Sequence, residues 1–349
     1  MRDDYPLIRH NDHSQNAVRI FLALVFLALA ASCTVFYLGY RFALTPMAAQ
    51  GEPVLIVVSP GQGLNATAQK LSRENLIASA NKFRILAAVT GNDKKIKAGE
   101  YCFDATMTPW TMLQDLAAGK VHLYKITIPE GYTLYQIGQV LQAAGVCDEG
   151  TFVQAATDPV RVRKAAIAEP AETFEGYLFP DTYHFARRTS PDTVIATMVG
   201  HLRSLYKTSW LERSRELGFS LHEVLTLASI IEKETGAADE RPMISSVFHN
   251  RLAKNMRLET DPTVIYGIKD FDGNLTRKHL RTLTPYNTYK LKGLPPGPIA
   301  NPGLKAIEAA LYPEDSPYLY FVSRQDGTHQ FSANIRDHIN AVRKYQLKR

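Results

Sequence analysis

Ile20 to Tyr40 is a run of 21 residues without a charge. Coiled into a helix, such a run rises roughly 30 Å, about the depth of one hydrocarbon core. A cleavable signal peptide is the competing reading. However, the run is longer than a usual signal core, and aromatic Phe36, Tyr37 and Tyr40 stand where small residues would favour cleavage. Ala30-Ala31-Ser32-Cys33 loosely resembles a lipoprotein site, yet Ala30 replaces the usual leucine and the apolar run continues past the cysteine. A retained span is therefore expected over 20–41, after a tail at 1–19. Arg2, Arg9 and Arg19 precede it, and only Arg41 follows before Lys70. That bias places the N-terminus in the cytoplasm and the body outside.

The chain has 349 residues, 45% of them hydrophobic, enough to bury a core and to make two soluble units beyond the span. A net charge of +6, spread without a Lys/Arg block, gives no footprint for nucleic acid. Of the three cysteines, Cys33 lies in the span. Cys102 and Cys147 would share an oxidising compartment, which leaves a disulfide and two unpaired thiols both open. There is no CxxC or HExxH pattern and the ten histidines are scattered, so neither a metal nor a cofactor is expected.

After a polar linker at Thr45 to Glu52, a strand is expected at Val54–Val58, then a turn and an amphipathic helix. The arrangement recurs. Gly61 is followed by Leu64 and Leu71, and further on by Phe83; Gly131 is followed by Leu134 and Leu141, and further on by Phe152. In both copies the leucines fall three and ten residues after the glycine, a helical spacing behind a glycine-bearing turn. A second strand, Val121 to Ile128, leads into the second copy. Two strand–turn–helix units resembling LysM modules are thus expected within 42–155, with a separate domain at 156–349. The fold class is α+β, the last domain mixed and helix-rich. Near its end, Tyr318 to Val322, Asp326-Gly327 and Gln330-Phe331 read as a hairpin. Ser332 is then placed to cap a helix whose Ile335, Ile339 and Val342 share a face.

Ser220-Leu-His-Glu223 has the capping-box pattern, and Gly236 is a plausible helix stop. Between them the residues from Val224 to Ile231 are nearly all apolar, so this helix is buried nearly all round. It delivers Glu232 and Glu234 from a core element, two residues apart and facing different ways. Apolar neighbours penalise the charged form of a carboxyl and let it carry a proton near neutrality. Periodicity does not decide between the two glutamates. Downstream, Gly293 to Gly303 holds four prolines and three glycines in 11 residues, a rigid loop suited to wall a cleft. Nearby Tyr, Asn and Asp side chains can hydrogen-bond sugar hydroxyls, and aromatic faces can pack on pyranose rings.

Five motifs in order carry a family resemblance: Glu175-Gly-Tyr-Leu-Phe-Pro-Asp-Thr-Tyr183, Ile230-Ile-Glu-Lys-Glu-Thr235, Thr260-Asp-Pro-Thr-Val-Ile-Tyr-Gly267, Tyr286-Asn-Thr-Tyr289 and Leu294-Pro-Pro-Gly-Pro-Ile299. From about Val54 to Tyr345 the chain resembles the YceG-like endolytic murein transglycosylases. The resemblance implies cleavage of the MurNAc–GlcNAc β-1,4 bond within nascent peptidoglycan strands, leaving 1,6-anhydro-MurNAc ends. It implies Glu232 as the acid/base, with Tyr286 and Asn287 beside the scissile sugar. Asp261, Thr263 and Glu175 become candidates for substrate contact or support. Glu234 is expected to support too, ion-paired to Arg241 or Arg251. The expected location is the bacterial inner membrane with the body periplasmic; glycan strands, the membrane and peptidoglycan synthases are the expected partners. A membrane-anchored, non-catalytic glycan-binding scaffold is the alternative. A hydrolase using Asp261 to activate water is the rival within catalysis.

Overall fold

The computed structural model describes residues 12–165, 170–234 and 237–347. Packing divides the chain into two compact units, Met1–His122 and Leu123–Arg349. Gly236, Arg2 and Arg9 lie outside the described residues, so the expected helix stop and most of the tail do too.

The first unit opens with helix α1 (Asp12–Leu44). From Asn16 to Leu44 it is long and apolar enough to cross a membrane. A strand–helix–helix–strand unit follows: β1 (Val54–Val58), α2 (Leu64–Arg73), α3 (Ala80–Val89) and β2 (Gly99–Phe103), then α4 (Pro109–Ala118). β1 lies where its β-branched run predicted. It pairs antiparallel with β2, Ile56 opposite Tyr101. Alternation sends Ile56 and Val58 into the core and leaves Leu55 and Val57 exposed. Gly61 takes φ +79 to make the turn into α2. Leu71, Phe83 and Met112 close the core, with no exposed surface.

The second unit repeats the plan with β3 (Tyr124–Thr127), α5 (Leu134–Ala143), α6 (Glu149–Ala156), α7 (Pro159–Ala165) and β4 (Thr182–Phe185). Gly131, at φ +73, matches Gly61. Thr133 and Gln136 form a reciprocal capping box on α5. Each copy is closed by a second strand, β2 in the first and β4, far along the chain, in the second. β3 pairs with β4, and Leu134, Leu141 and Phe152 share one core with Leu227 and Ile230. The second copy therefore packs with the remainder of the chain, and the break falls at 122/123 rather than at the expected 155/156.

That remainder runs α8 (Pro191–Leu205), α9 (Thr208–Glu216), α10 (Leu221–Glu234), α11 (Arg241–Ala253), α12 (Asp261–Tyr266), α13 (Arg277–Arg281), α14 (Leu304–Leu311), β5 (Tyr320–Ser323), β6 (His329–Ser332) and α15 (Ile335–Tyr345). The fold is mixed, with helices predominating over two-stranded sheets. Ser220 and Glu223 cap α10 reciprocally. From Val224 to Ile231 α10 is buried on every face. Each of its buried Leu and Ile side chains contributes about 1.5–3 kcal/mol. Asn334, not Ser332, caps α15 by accepting from the Asp337 amide. Ile335 and Ile339 both stay exposed, and Ile335 and Val342 border a cavity. All three cysteines are free, Cys102 on the surface and Cys147 half-buried.

Candidate active site

α10 carries its two glutamates into opposite surroundings. Glu232 accepts from Arg241 Nη2 at 2.8 Å and from the Gly303 backbone N–H at 3.0 Å. The two side chains of that ion pair are only 6% and 10% exposed. Glu130, from the turn before α5, approaches the same guanidinium at 3.8 Å. Burial and the neighbouring Glu232 charge push the Glu130 carboxyl up, with Arg241 opposing. This side is a charge cluster of one guanidinium between two carboxylates, Glu232 buried and Glu130 half-exposed.

Glu234 opens instead on a cavity of about 520 Å³. Asp261 and Tyr289 share its wall on one side; Tyr320, His338 and Ile335 come from the C-terminal hairpin and helix. The Thr260 hydroxyl donates to Glu234. No cationic side chain reaches ion-pair distance of Glu234 among the described residues. Burial raises its pKa to about 7; the Thr260 bond opposes, the Asp261 charge adds, and the Arg251 charge opposes. The expected ion pairs are therefore redistributed: Arg241 belongs to Glu232, and Arg251 to Glu259 at 3.3 Å. Arg251 is further committed to the carbonyls of Leu258 (2.8 Å) and Leu319 (2.7 Å), which ties β5 to α11. Tyr289 donates from its hydroxyl to Asp261 Oδ1 at 2.8 Å. His338 stacks on Tyr320 at 5.1 Å, its Nδ1 buried without a partner.

The other sequence candidates divide sharply. Asn287 has no exposed surface; its Nδ2 donates to the carbonyls of His279, Leu280 and Thr282, and its Oδ1 accepts from the Tyr289 N–H. Such a saturated amide holds the end of α13 and aims Tyr289, and it has nothing left for a sugar. Thr263, equally buried, bonds the Thr260 carbonyl and the Thr288 hydroxyl, fixing Thr260 beneath Glu234. Glu175 is buried beneath Tyr266 and Tyr286. It accepts from the Leu134 N–H, the Tyr266 hydroxyl and Asn301, and burial outweighs these bonds to lift its pKa to about 8. Tyr286 stacks edge-on against Tyr266 at 4.8 Å.

The structure thus gathers Glu234 and Asp261 at the cavity and Glu175 and Tyr286 in a second cluster, with Glu232 in the charge cluster. Sequence reasoning passed over Thr260 and Tyr289, although both stand in the quoted motifs. Tyr320 and His338 had no sequence cue, because only the folded hairpin brings them to Glu234. The Pro/Gly-rich loop is less of a wall than expected. Its later half is buried in the core, where Ile299 N–H donates to Ser229 and Asn301 bonds the Tyr132 carbonyl.

A mixed helix–sheet unit in which a buried helix ends in a near-neutral carboxyl beside a polar cavity has the make-up of an acid/base enzyme. The chain belongs to the YceG-like family, whose model matches residues 56–344. It is 34% identical to an endolytic murein transglycosylase of Bacillus subtilis over 84% of each chain. It is 31% identical to the endolytic murein transglycosylase of Streptococcus pneumoniae, over 92% of this chain and 64% of that longer protein. A crystal structure of a YceG-like protein from Listeria monocytogenes superposes with a TM-score of 0.58 at 34% identity, covering 83% of this chain and 98% of that one.

Proposed function

We propose that this chain is an endolytic murein transglycosylase, a lyase that cuts the MurNAc-β-1,4-GlcNAc bond inside glycan strands, with Glu234 as its general acid/base. The observation that carries the residue assignment is the contrast at the end of α10. Glu234 has a pKa of about 7 and faces a cavity, whereas Glu232 is held by a guanidinium and a backbone N–H. The family resemblance pointed to Glu232; the geometry favours its neighbour.

Protonated Glu234 donates to the leaving glycosidic oxygen as positive charge develops at C1 of MurNAc. The resulting carboxylate accepts the C6 hydroxyl proton while that oxygen closes on C1, which gives the 1,6-anhydro ring and regenerates the acid. One bond breaks, one forms, and no water enters, so a second carboxylate is not required. Thr260 orients the Glu234 carboxyl. Tyr289 offers a ring face to the sugars, and Tyr320, whose ring is stacked on His338 and covered by the Arg251 guanidinium, offers its hydroxyl. Asp261 on the same wall favours a second reading, in which it activates water and the products carry reducing ends.

The α1 segment serves as a single inner-membrane anchor with the N-terminus cytoplasmic, so that cutting is confined to strands near the membrane where synthases extrude them. The two strand–helix–helix–strand units serve as LysM-like glycan-facing modules. Digestion of purified peptidoglycan with the detergent-solubilised chain and its Glu234→Gln variant, with new ends read by mass spectrometry, tests the chemistry. Anhydro ends made only by the parent protein support the proposal. Reducing ends transfer it to the hydrolase reading, and an absence of cuts from a folded parent protein to a binding scaffold.

A further inference from the structure

We propose that helix α3 is a second membrane contact, by which the first unit rests on an anionic lipid surface beside α1. The inference depends on α1 being a membrane span. α3 is built inside out for a helix of a water-facing module. Phe83 and Ala87 fill the core, as they should, yet the opposite face carries Ile85 at 64% and Val89 at 81% exposure. Those residues are four apart and stack on one face.

They do not stand alone. α3 borders an apolar groove of about 930 Å³ whose other wall is α1 from Ala31 to Leu44, including Val35 and Phe36. That wall belongs to the apolar length of α1. Whatever surrounds α1 at Val35 and Phe36 therefore also meets Ile85 and Val89, and around a membrane span that medium is acyl chain. Trp110 lies on the groove as well, a residue type suited to the boundary between chain and headgroup.

Charge argues for lipid over an apolar protein partner. Lys82 sits over the Phe42 ring at 5.9 Å, on the same face as Ile85 and Val89. Arg84, Lys94 and Lys95 are exposed on α3 and the turn that follows it, with Asp93 the one acidic residue from Lys82 to Lys97. Apolar side chains ringed by lysine and arginine match a bilayer surface carrying anionic headgroups.

The test uses the full chain in nanodiscs of phosphatidylethanolamine and phosphatidylglycerol. Cys33, Cys102 and Cys147 are replaced, and a nitroxide is placed at Val89→Cys or, for comparison, at exposed Glu74→Cys. Accessibility to oxygen and to a water-soluble nickel complex is then measured. Oxygen favoured several-fold at position 89 relative to 74, with the preference weakened in purely zwitterionic discs, is the expected result. A chain that enters the discs yet shows the same ratio at both positions overturns the docking and leaves the anchor standing. Position 89 shielded from both reagents identifies a protein occupant and likewise overturns it. An unchanged ratio in zwitterionic discs removes the role of anionic lipid. Failure to enter the discs overturns the anchor, and this proposal with it.

Discussion

The two sides of the last turn of α10 show how one helix end makes both a strut and a reagent. On the Glu232 side the carboxylate meets Arg241 and the Gly303 N–H, and Glu130 adds a second negative charge to the same guanidinium. On the Glu234 side there is one hydroxyl donor, a carboxylate neighbour and open volume. Charge compensation for the Glu232 carboxylate is internal on the first side, through Arg241 and the Gly303 N–H. It is left incomplete on the second, and incompleteness is what a carboxyl that gives and takes protons requires. Position in the sequence separates the two by two residues; their partners separate them by function.

The largest effect should come from breaking the reactive side. Glu234→Gln keeps the shape and the Thr260 contact but removes the transferable proton. Glycan cleavage should drop by about 10²–10⁴-fold, the usual worth of a positioned general acid/base, with denaturation midpoint little changed. Product counting on defined strands checks this. The reverse pattern, an active Glu234→Gln beside a folded but inert Glu232→Gln, would return the catalytic role to Glu232 and undo the comparison.

On the strut side the loss should appear in stability. Glu232→Ala leaves Arg241 buried without its main partner, and removing one member of a buried pair costs about 3–5 kcal/mol. Urea denaturation should show this, and joint replacement of Glu232 by Leu and Arg241 by Met should recover most of it. If the single and double variants were equally destabilised, the ion pair would not be what holds this turn.

Protons discriminate between the sides as well. Glu234 donates only while protonated, so kcat/KM should fall as pH rises through about 7. Stability should follow the same sign. The carboxyls of Glu234 and Glu175 are raised to about 7 and about 8, so the folded state binds protons that the unfolded chain has released. Stability from these groups is greatest near the unfolded carboxyl range and declines as pH climbs toward their folded values. Glu175→Gln should flatten that decline without moving the activity limb. A limb that moved with Glu175 instead would place the working proton in the Tyr266 cluster.

Much of this was legible in the chain. The uncharged run, the paired Gly–Leu–Leu spacings and the Ser220–Glu223 capping box are local signals, and a helix stands at each of them. The closing strand β2 was not legible. A strand is recognisable by alternation over several residues, and in Gly99–Phe103 only Tyr101 and Phe103 alternate into the core. At the site, the helix end was readable but the choice between its glutamates was not. That choice rests on Arg241, Thr260 and the C-terminal hairpin, none of which reaches α10 except through the fold. Asn287 shows the opposite error: a residue type suited to sugars was spent on three backbone carbonyls.

The smallest effect should come from Tyr289, which tests how finely the reactive side is tuned. Its hydroxyl donates to Asp261, whose charge in turn helps keep Glu234 protonated. Tyr289→Phe leaves the ring on the cavity wall and removes only that donor, a net loss of about 1 kcal/mol. Asp261 then carries a less shielded charge toward Glu234, and the alkaline limb of kcat/KM should move slightly upward while KM holds. Tyr289→Ala removes the ring as well and should raise KM several-fold, because the face available to a pyranose is lost. Equal KM values for the two variants would mean that no sugar packs on this wall. The cavity would then be a solvent pocket beneath Glu234, with the glycan approaching from another side.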